Sequence, residues 1–189
     1  MPLTQLDPVA ALVVIDMQKG IVALPTAHPV AAITARIAQL ARSFRWRGLP
    51  VILVNVASLA PGRVDLPFRA SMPEDWTELV PELDRQPTDY TVTKMQIGAF
   101  YGTALEPILR RRAVTQVFVV GITTSNGVEA TARNAYDHGY NVVLIVDAMT
   151  DFTALAHQHS VANTLPQIGE TVLTEQVLAS LQVRSRPLC

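Results

Sequence analysis

Residues 11–15 read ALVVI, and Asp16-Met17-Gln18 follow at once. Five consecutive apolar residues, three of them β-branched, fit a strand covered by other layers on both faces. Similar short runs recur at 51–54, 91–93, 117–120, 142–146 and 171–173. Helical periodicity fills the gaps. Over 29–47, Val30, Ile33, Ile37, Leu40, Ala41 and Phe44 fall near 3.6-residue spacing, and Gly48 stops the run. Further helices are predicted at 105–112, with Pro107 in the first turn, at 128–138 up to Gly139, at 154–165 and from Thr174. Such alternation predicts an α/β fold: three α/β/α layers around a parallel six-stranded sheet. The common Rossmann-like order for such a sheet is 3-2-1-4-5-6. No repeat or linker interrupts the pattern, so one domain over 1–189 is expected. Residues 56–90 are the exception, a connection with five prolines and little periodicity. A segment that long is usually functional or mobile. Residues 183–189 read as a tail.

Apolar residues make up 49% of the chain and charged residues 16%, which is enough apolar material for a substantial core and excludes a disordered chain. With 15 basic and 16 acidic side chains, charge gives no reason to expect nucleic acid or an anionic membrane as partner. No apolar run approaches the roughly 18 residues of a membrane span. The first residues lack a charged segment leading into a long apolar one, so no signal peptide is expected. The one cysteine, Cys189, permits neither a disulfide framework nor a cysteine metal cluster, and a cytoplasmic protein is expected.

In an open parallel sheet, ligands bind beyond the carboxyl ends of the strands, where strand order reverses. With that order, the residues after Ile15 and after Val120 share the spot. Asp16 should therefore face the segment Gly121 to Gly127. Burial there would raise the Asp16 pKa and suit it to proton transfer; a turn-holding or capping role is equally open. Lys94, one of two lysines against thirteen arginines, follows the third strand. It is either a solvated strand-end residue or a partner for a buried carboxylate. About 10 Å of sheet separates strands 3 and 1, which its stem has to cross. Residues 121–127 (GITTSNG) offer hydroxyls, an amide and backbone N–H groups before a helix. They can bind an anion, or Ser125 or Asn126 can simply cap the turn. The segment fits neither dinucleotide nor P-loop spacing.

Together these residues resemble the isochorismatase-like hydrolase family, also called the cysteine hydrolase superfamily. Residues 11–18 (ALVVIDMQ) look like its opening element and 94–102 (KMQIGAFYG) like its lysine segment. Residues 119–140 (VVGITTSNGVEATARNAYDHGY) look like its long signature, and Asp147 to Asp151 like the element after it. Each piece is weak alone, and the four in this order are specific. The resemblance implies that Asp16 and Lys94 are catalytic. The family's nucleophilic cysteine falls on Gly127, so no thioester can form there. True isochorismatases are similar in carrying glycine at this place. They imply a mechanism in which an acid, here Asp16, protonates an enol-ether carbon and water attacks the resulting cation. Lys94 would orient the carboxyl and stabilise charge. Gln18, Phe100, Thr123, Thr124, Asn126 and Gly127 are the implied substrate contacts. Ile122–Thr123 is the implied cis peptide in the oxyanion region.

Some family members bind zinc through an Asp-x-His pair, which residues 54–58 (VNVAS) lack, so neither a metal nor another cofactor is expected. At least three of His28, His138, His157 and His159 are expected on the surface. Arg63, Arg69 and Arg85 are either solvated or available to grip a substrate carboxylate. Phe100, Tyr101 and Trp76 could wall the site or serve packing and subunit contacts. The expected partners are a small-molecule substrate and further copies of the chain, as a homodimer or larger. Two other readings stand beside the leading one. Ser125 could be the nucleophile of an amide or carbamoyl hydrolase, or the chain could be an inactive small-molecule-binding or regulatory homologue.

Overall fold

The computed structural model describes residues 3–65 and 72–183. Arg69 and Cys189 lie outside them.

Six strands, β1 (Ala10–Ile15), β2 (Val51–Val56), β3 (Tyr90–Lys94), β4 (Gln116–Ile122), β5 (Asn141–Thr150) and β6 (Glu170–Val172), form one parallel sheet. Its order is β3-β2-β1-β4-β5-β6, as the sequence pattern predicts. The apolar run of β1 decides the layering. Ala10, Leu12 and Val14 pack on one side with Ile33, Ile37, Leu40 and Phe44 of α2 (Val30–Trp46) and Val177 and Leu181 of α6 (Thr174–Val183). Ala11, Val13 and Ile15 pack on the other with Leu105 and Leu109 of α3 (Leu105–Arg111) and Ala132 and Ala135 of α4 (Glu129–Asp137). Alternate residues of one strand thus feed two cores, which makes the three layers. Two short helices complete the set, α1 (Lys19–Val22) and α5 (Ala154–His159).

Several boundaries differ from those read in the sequence, and the differences matter near the strand ends. The predicted helix over 128–138 is preceded by a wide π-type turn, Thr124–Val128. The one over 154–165 ends at His159 and continues as a π turn, Ser160–Thr164, and a tight turn, Leu165–Gln167. Strand β5 runs to Thr150 because its register against β4 slips. Val119 pairs with Leu144 but Gly121 with Met149, so the extra residues bulge out and carry Asp147 to Thr174.

The described part of the proline-rich connection between β2 and β3 packs at the carboxyl end of the sheet through residues 75–78. Asn55 donates to the Thr77 carbonyl, Lys19 pairs with Asp75 and Glu78, and Gly20 N–H donates to the Trp76 carbonyl. Val183 closes α6. Among the described residues no helix is long and apolar enough to cross a membrane.

Candidate active site

Strand β1 ends where β4 passes closest to it. Ile15 pairs with Gly121, whose φ is +121° and whose added Cβ would lie 2.0 Å from the Ile15 carbonyl oxygen. Only glycine fits that approach. Asp16 then turns out of the sheet with φ +52°, a left-handed conformation that aspartate tolerates better than most residues. Its N–H still donates to the Val54 carbonyl, which fixes the turn.

Lys94 is the last residue of β3 and pairs with Val56, the last of β2. Ile15 pairs with Val54, so Lys94 stands beyond the end of β1 and its stem can cross over β2. Lys94 Nζ lies 2.8 Å from Asp16 Oδ2, with the side chains only 2% and 8% exposed. The remaining Nζ protons go to the carbonyls of Gln96 (3.2 Å) and Ile97 (2.9 Å). An ammonium has three donors, and all three are used. Lys94 is thereby committed to the carboxyl and to its own loop.

Asp16 is the opposite case. Oδ2 accepts from Lys94, while Oδ1 is buried with no hydrogen-bond partner among the described residues. Burial pushes the Asp16 carboxyl up to about 6, against the opposing charge and hydrogen bond of Lys94. Desolvation outweighs the ion pair because the neighbouring residues, Ile15, Met17 and Gly127, are buried too. A carboxyl titrating near neutrality can hold or release a proton in either role.

Gly127 sits against this carboxyl. A Cβ added to it would stand 3.2 Å from Asp16 Oδ2 and 3.1 Å from Ile15 Cγ2. Both neighbours are fixed, one by Lys94 and the other by the core. Gly127→Ala is therefore expected to lower the unfolding free energy by about 1–3 kcal/mol despite alanine's better helix propensity. Urea denaturation measures this, and an unchanged midpoint would mean that the ion pair yields freely.

The turn carrying Gly127 is held from behind. Sequence reading offers Ser125 or Asn126 as its cap, but neither side chain caps it. The Ser125 N–H donates instead to Asp151 Oδ2 at 2.6 Å, and the Asn126 and Val128 N–H groups donate to the Thr123 carbonyl. Asp151, buried at the end of β5, is thus a functional support to which sequence reading gave no role. Thr131 links the turn to the lysine loop: its hydroxyl donates to the Gly127 carbonyl (2.7 Å) and accepts the Ala99 N–H (3.1 Å). The Ile122–Thr123 peptide bond is cis.

Of the other residues singled out from the sequence, Thr123, Thr124 and Asn126 lie on this turn, Thr124 fully buried and Asn126 exposed. Gln18 spends its side-chain amide on the backbone. It is fully buried, its Nε2 donates to the Val56 and Trp76 carbonyls, and its Oε1 accepts the Val56 N–H. A buried amide has to satisfy these groups, and here the backbone does so. Phe100 also belongs elsewhere. Its ring stacks on His138 at 5.0 Å and lies 6.1 Å from Tyr140, beside the amino end of β5 and thus the opposite end of the sheet from Asp16. Trp76 packs on Gly20 of α1, and Tyr101 is exposed. Arg63 and Arg85 are exposed. The histidines depart from expectation as well: His138 and His159 are exposed, but His28 and His157 are half-buried and touch each other.

The chain matches a known family. The model of the isochorismatase domain matches residues 10–176. The chain belongs to the isochorismatase family. Its members are hydrolases, and this chain, with its parallel α/β sheet, is a hydrolase of that family. The isochorismatase family protein YwoC of Bacillus subtilis is 40% identical, with 91% of this chain and 94% of that protein covered. The solved structure of an isochorismatase family protein from Burkholderia thailandensis is 39% identical and superposes with a TM-score of 0.90, over 96% of this chain and 98% of that one. The isochorismatase of Bacillus subtilis is 29% identical, over 92% of this chain and 58% of that protein.

Proposed function

We propose that the chain hydrolyses a small metabolite through proton transfer by Asp16 to and from substrate and water, with no covalent intermediate on the enzyme. The observation that carries this reading is Asp16 itself: Oδ2, beside Gly127, is fixed by Lys94, and Oδ1 is buried with no hydrogen-bond partner among the described residues. A proton on Oδ1 is available to a substrate atom. An enol ether suits such a site. The proton goes to carbon, the π electrons form that C–H bond, and an oxocarbenium ion results. Water then adds to the cationic carbon and returns a proton to the Asp16 carboxylate. The resulting hemiketal collapses to a ketone and an alcohol. The balance is one water consumed and Asp16 restored. Lys94 contributes by holding and orienting the carboxyl, since its own donors are used. The enzyme is proposed to act without cofactor and as a homo-oligomer.

The amide or carbamoyl reading with Ser125 as nucleophile has less support. Ser125 is exposed, and the nearby His157 spends Nδ1 on Thr124. Turnover of a panel of enol ethers, esters, amides and carbamoyl compounds tests both readings. Activity on an enol ether is expected to survive Ser125→Ala and complete alkylation of Cys189, the only thiol. Loss of activity in either case overturns the proposal, and tight binding with no turnover of any compound favours the inactive homologue.

A further inference from the structure

The half-buried histidines lie behind the Gly127 turn and play no part in the chemistry above. His157, on α5, places Nδ1 2.8 Å from the Thr124 hydroxyl. Thr124 is fully buried, so this is the hydrogen bond that satisfies its side chain. The His157 ring meets His28 edge-on at 4.7 Å. His28 in turn places Nδ1 2.9 Å from the hydroxyl of Thr150, which is fully buried and directly precedes Asp151. Asp151 holds the Ser125 N–H, and its carbonyl accepts the Ala27 N–H at 2.8 Å. The two supports of the turn from outside it, Thr150-Asp151 at the end of β5 and His157 on α5, are therefore joined through His28.

We propose that His157, braced by His28, is a positioning residue that fixes Thr124 and through it the distance between Gly127 and Asp16. The inference rests on the reading of Asp16 as the proton-transferring group. Its local chemistry is favourable. Desolvation and the neighbouring His28 push the His157 pKa below its usual range, while Asp151 pulls the other way. A neutral imidazole keeps an acceptor nitrogen for the Thr124 proton, which an imidazolium would lack. The other groups facing the pair are the Thr124 and Thr150 hydroxyls.

Two variants separate positioning from bulk packing. His157→Phe keeps a ring against His28 but removes the hydrogen bond. His157→Asn gives up the ring but places an amide near the position of Nδ1. The primary measurement is amide hydrogen exchange of residues 124–128 together with NMR titration of the Asp16 carboxyl, in the full chain. His157→Phe is expected to speed exchange at the turn at least tenfold and to shift the Asp16 titration, with His157→Asn restoring both. On a turned-over substrate, kcat should fall with KM little changed. Unaltered exchange and titration in His157→Phe overturns the inference, as does failure of His157→Asn to restore them while the fold remains intact. If the turn loosens as expected but the wild-type chain hydrolyses nothing, the positioning role is supported and the hydrolytic reading alone fails.

Discussion

Asp16→Asn is expected to lower kcat/KM by about 10²–10⁴-fold, the contribution of a positioned acid–base group, while leaving the fold in place. Asparagine keeps the shape of the side chain, and its carbonyl can still accept from Lys94 Nζ, now 2.8 Å from Oδ2. What it loses is the exchangeable proton on Oδ1, the oxygen that Lys94 leaves free. The pH profile of the wild-type enzyme gives the sign of the role. Asp16 titrates at about 6. If it acts first as an acid, kcat/KM falls as pH rises through that value; if it acts first as a base, kcat/KM rises. The reading above requires the fall, and steady-state kinetics between pH 4.5 and about 8 on the best enol ether decide it. An Asp16→Asn enzyme that keeps wild-type activity, or a profile that rises through the titration, removes Asp16 from the acid role.

Sequence reading reached the sheet and the neighbourhood of the site because both follow from local pattern. The alternation hidden in ALVVI, the glycine stops and the β-branched runs each depend on a few adjacent residues. The doubly wound rule then puts Asp16 opposite the segment after β4 without any knowledge of side-chain contacts. Lys94 has two strand spacings to cross to reach Asp16, which local pattern does not resolve. The approach becomes clear only from register: Lys94 pairs with Val56, beyond the end of β1, so its stem has a free path. The roles of Gln18, Asp151, His28 and His157 were not legible for a common reason. Each is defined by a partner far away in the chain: Gln18 by Val56, Asp151 by Ser125, His28 by Thr150 and His157 by Thr124. Periodicity reports which face of an element is buried. It does not report which polar groups meet when two elements close on each other. Phe100 was misplaced for a related reason. Its backbone neighbour Ala99 is tied through Thr131 to the Gly127 turn, but the ring itself stacks on His138.

Lys94→Met is expected to cost stability in a pH-dependent way, and this separates the ion pair from its surroundings. Methionine fills a similar volume, so the loss is electrostatic. Removing one partner of a buried pair typically costs about 3–5 kcal/mol because the other charge stays uncompensated. Here the carbonyls of Gln96 and Ile97 also lose their donor. The carboxyl can escape part of the penalty by taking up a proton. Lys94 is the group that lowers the Asp16 pKa, so without it the carboxyl rises beyond its present value of about 6. A carboxyl raised in the folded state holds its proton more tightly there than in the unfolded chain. The stability it contributes is present at low pH and is lost as pH rises from the unfolded value, 3.8, through the folded one. In the wild type that loss is complete a little above pH 6; in Lys94→Met it continues to higher pH. The difference in unfolding free energy between the two proteins should thus be larger at pH 8 than at pH 5, which urea denaturation at both values measures. The kinetic consequence follows from the same shift: any residual activity of Lys94→Met should persist to higher pH than that of the wild type, since Asp16 stays protonated there. Equal destabilisation at both pH values would mean that Lys94 serves its loop carbonyls and does not set the charge state of Asp16. The acid assignment would then lose the residue that tunes it.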